Sequence, residues 1–94
     1  MTLPIILSKK FQEWKNSNFD NNKSQYKKIS KEKQKPLAMI ISCCDSRVQP
    51  TSFFKAEIGE FFIHKNIANL IPSYEQNNNE NSTLAALEYA VQEL

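Results

Sequence analysis

Two adjacent thiols, a carboxylate and a guanidinium sit together in the stretch Cys43-Cys44-Asp45-Ser46-Arg47. A thiolate is a ligand for zinc or another soft or borderline metal. Asp45 can ligate or accept hydrogen bonds. Arg47, two residues on, can grip Asp45 with both arms of its planar fork, which holds the carboxylate ionised and lowers its pKa. One metal ligand would then stand beside a carboxylate that chooses between the metal and the arginine. Each residue also has a plain structural reading. Cysteines are among the most buried residues, Asp-Ser after a strand often makes a turn or cap, and Asp–Arg neighbours are often simple ion pairs. A tetrahedral zinc site needs three or four protein ligands, so a single cysteine of this stretch is weak evidence by itself.

The elements around this stretch decide whether such a site can form. "LAMIIS", residues 37–42, is a short continuous apolar run, the pattern of a strand buried on both faces in a parallel sheet. A short helix is expected over 50–56, with Pro50 near its start. A turn at Gly59 follows, then a second strand, "FFIHK", over 61–65. Residues 66–82 read as a long loop with an Asn-rich middle. Ser82 or Thr83 can cap a last helix over 82–94, with Leu84, Leu87, Val91 and Leu94 on one side. Strand, helix, strand, helix implies an α/β unit with a parallel sheet, and sites in such sheets form at the carboxyl ends of strands, where Cys43 to Arg47 lie. Upstream, residues 3–19 predict a helix with an aromatic and apolar face. Residues 16–36, rich in Asn and Lys, read as a polar linker with a short helix near Tyr26. The division expected is thus an N-terminal arm and linker, 1–36, and an α/β core, 37–94.

Composition narrows the function classes. Ninety-four residues make at most one domain or part of one. A net charge of +2 is too small to argue for nucleic acid or an anionic membrane as partner. With Gly59 the single glycine, neither a Walker loop nor a dinucleotide-binding loop is present. No apolar run approaches the ~20 residues that cross a bilayer, and "LPIIL" lacks the flanks of a signal peptide. A cytoplasmic location is therefore expected, where paired thiols are first read as metal ligands or redox groups. A bond between adjacent Cys43 and Cys44 would close a strained ring.

Three blocks, "CCDSRVQP", "IGEFFIHKNIANLIPSY" and "STLAALEYAVQEL", resemble the β-class carbonic anhydrases in order and spacing. The likeness runs over about residues 37–94, is weaker in the N-terminal helix, and in the "NLIPSY" segment is most like the bacterial and cyanobacterial branch. The family pattern begins Cys-x-Asp-Ser-Arg and continues through a Gly-Asp/Glu block that contains Arg-Asn and ends in Ala/Gly-Asn, then an Ala-Glu-Tyr-Ala helix. The resemblance implies the N-terminal part of the β-carbonic anhydrase fold, a parallel central sheet flanked by helices and cut after the helix 82–94. It implies a zinc (Zn²⁺) lyase that interconverts CO₂ and bicarbonate. Cys43 would be a zinc ligand, Asp45 either a ligand or a catalytic acceptor, and Arg47 its catalytic partner. Cys44 falls on the variable position and would be a packing residue, and so does His64, which would be a packed or partly exposed side chain.

The family's remaining zinc ligands come from a His-x-x-Cys segment after the last helix, beyond Leu94. Its Arg-Asn pair reads Lys65-Asn66 here, which keeps the charge but not the planar fork. The resemblance further implies a homodimer or higher homo-oligomer, with Ile5, Ile6, Phe11, Trp14 and Phe19 laid over a neighbouring subunit; the same residues could instead cover their own sheet. Two other readings stay open. One is a non-catalytic binding or structural member of the fold. The other is a thiol-nucleophile enzyme using Cys43 or Cys44, which would need a low-pKa thiolate. The 94 residues alone, with exposed strand edges, are expected to fold poorly and to be inactive.

Overall fold

The computed structural model describes residues 2–73 and 81–94, so the Asn-rich stretch expected as loop lies outside the described residues. The chain divides into two compact units, Met1–Lys33 and Gln34–Leu94.

In the first unit, helix α1 (Ile5–Trp14) follows Pro4, whose carbonyl accepts the Leu7 and Ser8 amides at 3.0 and 3.1 Å. The helical path does not stop where the apolar pattern ends. It widens into a π turn (Lys15–Phe19), tightens into a 3₁₀ turn (Asp20–Asn22) and continues as α2 (Lys23–Lys31). The sequence reading of this segment as mainly linker is corrected here, and the reason is local. Ser17, Asn21 and Asn22 turn their side chains back onto the carbonyls of Glu13, Ser17 and Asn18, at 2.7, 2.6 and 2.8 Å, so residues that normally compete with a helix cap its own backbone instead. An aromatic cluster holds the two helices together. Trp14 lies 5.7 Å from Phe19 and 5.8 Å from Tyr26, ring centre to ring centre, and Phe19 lies 5.3 Å from Tyr26, separations at which aromatic pairs attract.

The second unit is built on two parallel strands, β1 (Ala38–Cys43) and β2 (Phe61–Asn66), in register from Ala38 opposite Phe61 to Cys43 opposite Asn66. The pairing runs on at both ends: the Leu37 amide donates to the Glu60 carbonyl at 2.7 Å and the Cys44 amide to the Asn66 carbonyl at 2.9 Å. Between the strands lie α3 (Pro50–Phe53), opened by the buried Pro50 at its first position, and a turn in which Gly59 takes φ +91°, a conformation that a Cβ disfavours. Helix α4 (Ser82–Glu93) completes the unit. The α/β architecture expected from the sequence is therefore present, a parallel sheet with helices beside it.

Register sorts the side chains into two faces. Met39, Ile41 and Cys43 share one with Phe62, His64 and Asn66. This face meets α4, where Tyr89 packs 5.8 Å from Phe62. Ala38, Ile40 and Ser42 share the other with Phe61, Ile63 and Lys65; here Phe54 meets Phe61 edge-on at 5.7 Å.

Two expectations for α4 are corrected. Its cap is Asn81, whose Oδ1 accepts the Leu84 amide at 3.0 Å, rather than Ser82 or Thr83. Thr83 is turned inward and buried. Val91 is 77 % exposed, because the inner stripe runs through Thr83, Ala86, Leu87 and Ala90 rather than through Val91. Among the described residues Ser42, Pro50 and Thr83 are the buried ones; no aliphatic or aromatic side chain is fully enclosed.

Candidate functional site

Cys43 is the last residue of β1 and half-buried. The chain leaves the sheet there and folds into a tight turn, closed by the Val48 amide donating to the Asp45 carbonyl at 3.0 Å. Inside that turn the Asp45 carboxylate accepts three hydrogen bonds, all from Arg47. Its Oδ1 takes the backbone amide at 2.8 Å and Nε at 3.0 Å, and its Oδ2 takes Nη2 at 2.7 Å. This is the two-armed grip that a guanidinium makes on a carboxylate. It holds the Asp45 carboxyl below the usual aspartate range. The Arg47 side-chain bonds are the main cause, the Arg47 amide adds to them, and the charge of Lys65 contributes a smaller part against partial burial. The same bonds raise the Arg47 pKa. Asp45 is thus an ionised acceptor with both carboxylate oxygens turned to Arg47.

The thiol of Cys43 stands next to this pair. Its Sγ receives the Asp45 amide at 3.5 Å, a weak bond that turns the sulfur toward the start of the turn. Cys44 is exposed, which corrects its assignment as a packing residue: the strand has ended, and side chains that alternate across a sheet carry Cys44 away from the face of Cys43. Cys43, Asp45 and Arg47 are therefore gathered at one point, the carboxyl end of β1.

His64 is not part of that group. It lies opposite Ile41 in the register, half-buried, and its Nε2 is 2.8 Å from Thr83 Oγ1. Asn66 Nδ2 donates to the same hydroxyl at 3.1 Å. Asn66 also clasps the backbone beyond the strand: its Nδ2 donates to the Leu70 carbonyl at 2.8 Å and its Oδ1 accepts the Leu70 amide at 2.9 Å. Inside that clasp Ala68 and Asn69 take φ +63° and +48°, a region that Asn tolerates and Ala enters at some cost. The bond from Lys65 to the Val48 carbonyl and the meeting of His64 and Asn66 on Thr83 were not found by sequence reasoning. Asn69, of a type that tolerates the left-handed region, is the local signal for the clasp; no local signal marks Thr83, which is distant in sequence from both its partners.

The donor set decides how far these residues suit a zinc ion. Among the described residues no group of three or more His, Cys, Asp or Glu side chains converges as a metal site. Cys43 and Asp45 supply two donors of suitable type, and His64 is committed to Thr83. The turn fits zinc as part of a ligand shell and does not complete one.

Comparison with known proteins places these features in context. The family model described as "Carbonic anhydrase" matches residues 38–94. The chain is 37 % identical over 81 residues to Beta carbonic anhydrase 3 of Arabidopsis thaliana, a match covering 86 % of this chain and 31 % of that protein. In structure it is similar to the β-carbonic anhydrase CcaA, with a TM-score of 0.83 and 31 % identity, over 92 % of this chain and 37 % of that one. It is also similar to one of two tetrameric β-carbonic anhydrases of the ascomycete Sordaria macrospora, with a TM-score of 0.75 and 29 % identity, over 92 % and 41 % of the two chains. The chain spans about a third of the length of the curated relatives it matches.

Proposed function

The chain belongs to the carbonic anhydrase family, in its β class, and from that premise we propose that it serves in the zinc-dependent, reversible hydration of CO₂ to bicarbonate and a proton. The observation that carries the reading is the turn itself, a strand-end thiol beside a carboxylate locked to an arginine. Cys43 would donate its sulfur to zinc. Two further donors would come from outside the described residues, in the manner of the family's His-x-x-Cys segment. Zinc, when bound, supplies Lewis acidity that makes hydroxide available near neutral pH.

The work of this chain's own residues follows from the geometry. Arg47 occupies both Asp45 oxygens and so favours the arrangement in which Asp45 leaves a ligand position free. Held ionised, Asp45 accepts a hydrogen bond from the attacking oxygen and turns its lone pair toward the carbon of CO₂, a gain in orientation. Asp45 swinging off Arg47 would close the same position. The exposed Leu3, Ile5, Ile6, Leu7 and Phe11 of the N-terminal unit suit a homo-oligomer in which this unit covers a neighbouring subunit. No described helix is long and apolar enough to cross a membrane.

Cys43→Ser tests the reading. In the natural protein, zinc content measured by mass spectrometry of the metal and CO₂ hydration measured by oxygen-isotope exchange should fall together, the first below about a tenth of an equivalent. A variant that keeps one zinc and normal turnover would sink the proposal. A wild-type protein with zinc and no hydration activity would instead favour a non-catalytic member of the fold.

A further inference from the structure

The Asp45–Arg47 pair poses a mechanical problem. The Arg47 side chain is 87 % exposed, so no packing aims its guanidinium. Where it points is decided by where the turn carries its Cα, and the turn is five residues long, Cys44 to Val48. Its first residue is tied to β2 through the Cys44 amide and the Asn66 carbonyl at 2.9 Å. Its last residue is tied to the same strand, one position earlier. The Lys65 side chain leaves β2 on the face of Ser42, reaches the far end of the turn, and donates from Nζ to the Val48 carbonyl at 2.6 Å.

Two consecutive residues of β2 thus grip both ends of the turn. Remove the second grip and β2 holds the turn at Cys44 alone; what remains at the far end is the run of the chain into buried Pro50 and bonds local to the turn. Those local bonds include the one from the Val48 amide to the Asp45 carbonyl, so the peptide that Lys65 holds adjoins the peptide that closes the turn. We propose that Lys65 is a positioning residue for the Asp45–Arg47 pair: its ammonium pins the Val48 carbonyl and thereby keeps the turn in the shape from which Arg47 reaches both Asp45 oxygens. The residue matters as a donor of the right reach, with its charge a secondary aid, and its ammonium bonds to Val48 rather than to Asp45.

Three forms of the natural protein in its assembled state test this: wild type, Lys65→Met and Lys65→Arg. Methionine keeps an unbranched apolar stem and removes the donor; arginine keeps a donor and the charge. Amide hydrogen exchange followed by mass spectrometry reads the turn directly, because the Cys44, Arg47 and Val48 amides are all bonded in it. Loss of one such hydrogen bond is worth about tenfold in an opening equilibrium. Exchange over 44–48 should therefore quicken about tenfold in Lys65→Met and return to within about threefold of wild type in Lys65→Arg, while the Leu84 amide, capped by Asn81, stays unchanged. Exchange over 44–48 that is the same in all three forms would overturn the proposal, as would a Lys65→Arg form as fast as Lys65→Met.

The catalytic arm rests on the function proposed above. There kcat for CO₂ hydration should fall in Lys65→Met and recover in Lys65→Arg. If no form hydrates CO₂, that function fails while the exchange result still decides the clamp. Should Lys65→Met not fold, the wild-type protein gives the answer through reductive methylation: Lys65 should react at least about tenfold more slowly than Lys9 or Lys27, and equal rates would refute the bond.

Discussion

Replacing Thr83 with valine removes one hydroxyl and almost no volume. That hydroxyl sits 2.8 Å from His64 Nε2 and 3.1 Å from Asn66 Nδ2, and Thr83 is only 6 % exposed. Each bond contributes about 1 kcal/mol net, and a buried group left without its partner costs more. The losses here are moderated, since Asn66 Nδ2 keeps the Leu70 carbonyl and half-buried His64 keeps some access to water. The expected cost is therefore about 2 kcal/mol rather than 4. With a urea dependence of about 1.5 kcal/mol per molar, the midpoint of unfolding in the natural protein should drop by about 1.3 M. Thr83→Ser, which keeps the hydroxyl and deletes a methyl, should cost about half as much. A double-mutant cycle with His64→Leu separates the pair from its surroundings: a coupling of about 1 kcal/mol is expected between residues in such direct contact. A Thr83→Val shift below about 0.3 M, or additive behaviour in the cycle, would show that the link between β2 and α4 carries no energy and that the packing of α4 alone holds this end of the sheet.

Arg47→Met should raise the Asp45 carboxyl toward the ordinary value of 3.8, read from its carbonyl carbon shift by NMR. Because the folded pKa lies below the unfolded one, the stability that Arg47 confers is present above about pH 4 and fades as pH falls through the folded value. The wild-type and Arg47→Met midpoints should thus converge in acid and separate toward neutrality; a constant gap would contradict the pairing. Asn81→Ala, which deletes the α4 cap, should cost about 1 kcal/mol by chemical unfolding, whereas Asn81→Asp should be neutral or slightly stabilising beside the positive end of the helix. A polypeptide of residues 1–94 by itself should melt over a broad range without a cooperative step by circular dichroism, since no described aliphatic or aromatic side chain is fully enclosed; a sharp two-state transition would refute that.

Some of this was open to reading along the chain because its physics is local. The Asp45–Arg47 pair joins residues two apart, and any turn after a strand brings such neighbours together. The apolar runs before Cys43 and before Asn66 called for parallel strands, and a glycine at position 59 marked the bend between them. The polar segment before Pro36 read poorly for the opposite reason. Asn and Ser argue against helix on intrinsic preference, and only the back-bonding to carbonyls and the meeting of Trp14, Phe19 and Tyr26 reversed that.

By itself, then, the sequence determined which chemistry stands at the end of the first strand, a thiol, a carboxylate and a guanidinium in one turn. Tertiary structure alone decided what holds that turn and its strand in place. Lys65 reaches Val48 across 17 residues, and Thr83 collects His64 and Asn66 from 19 and 17 residues away. Bonds of that span depend on strand register and on which way a helix is rolled. No local pattern encodes either quantity, because both are set when β2 is laid against β1 and α4 against β2.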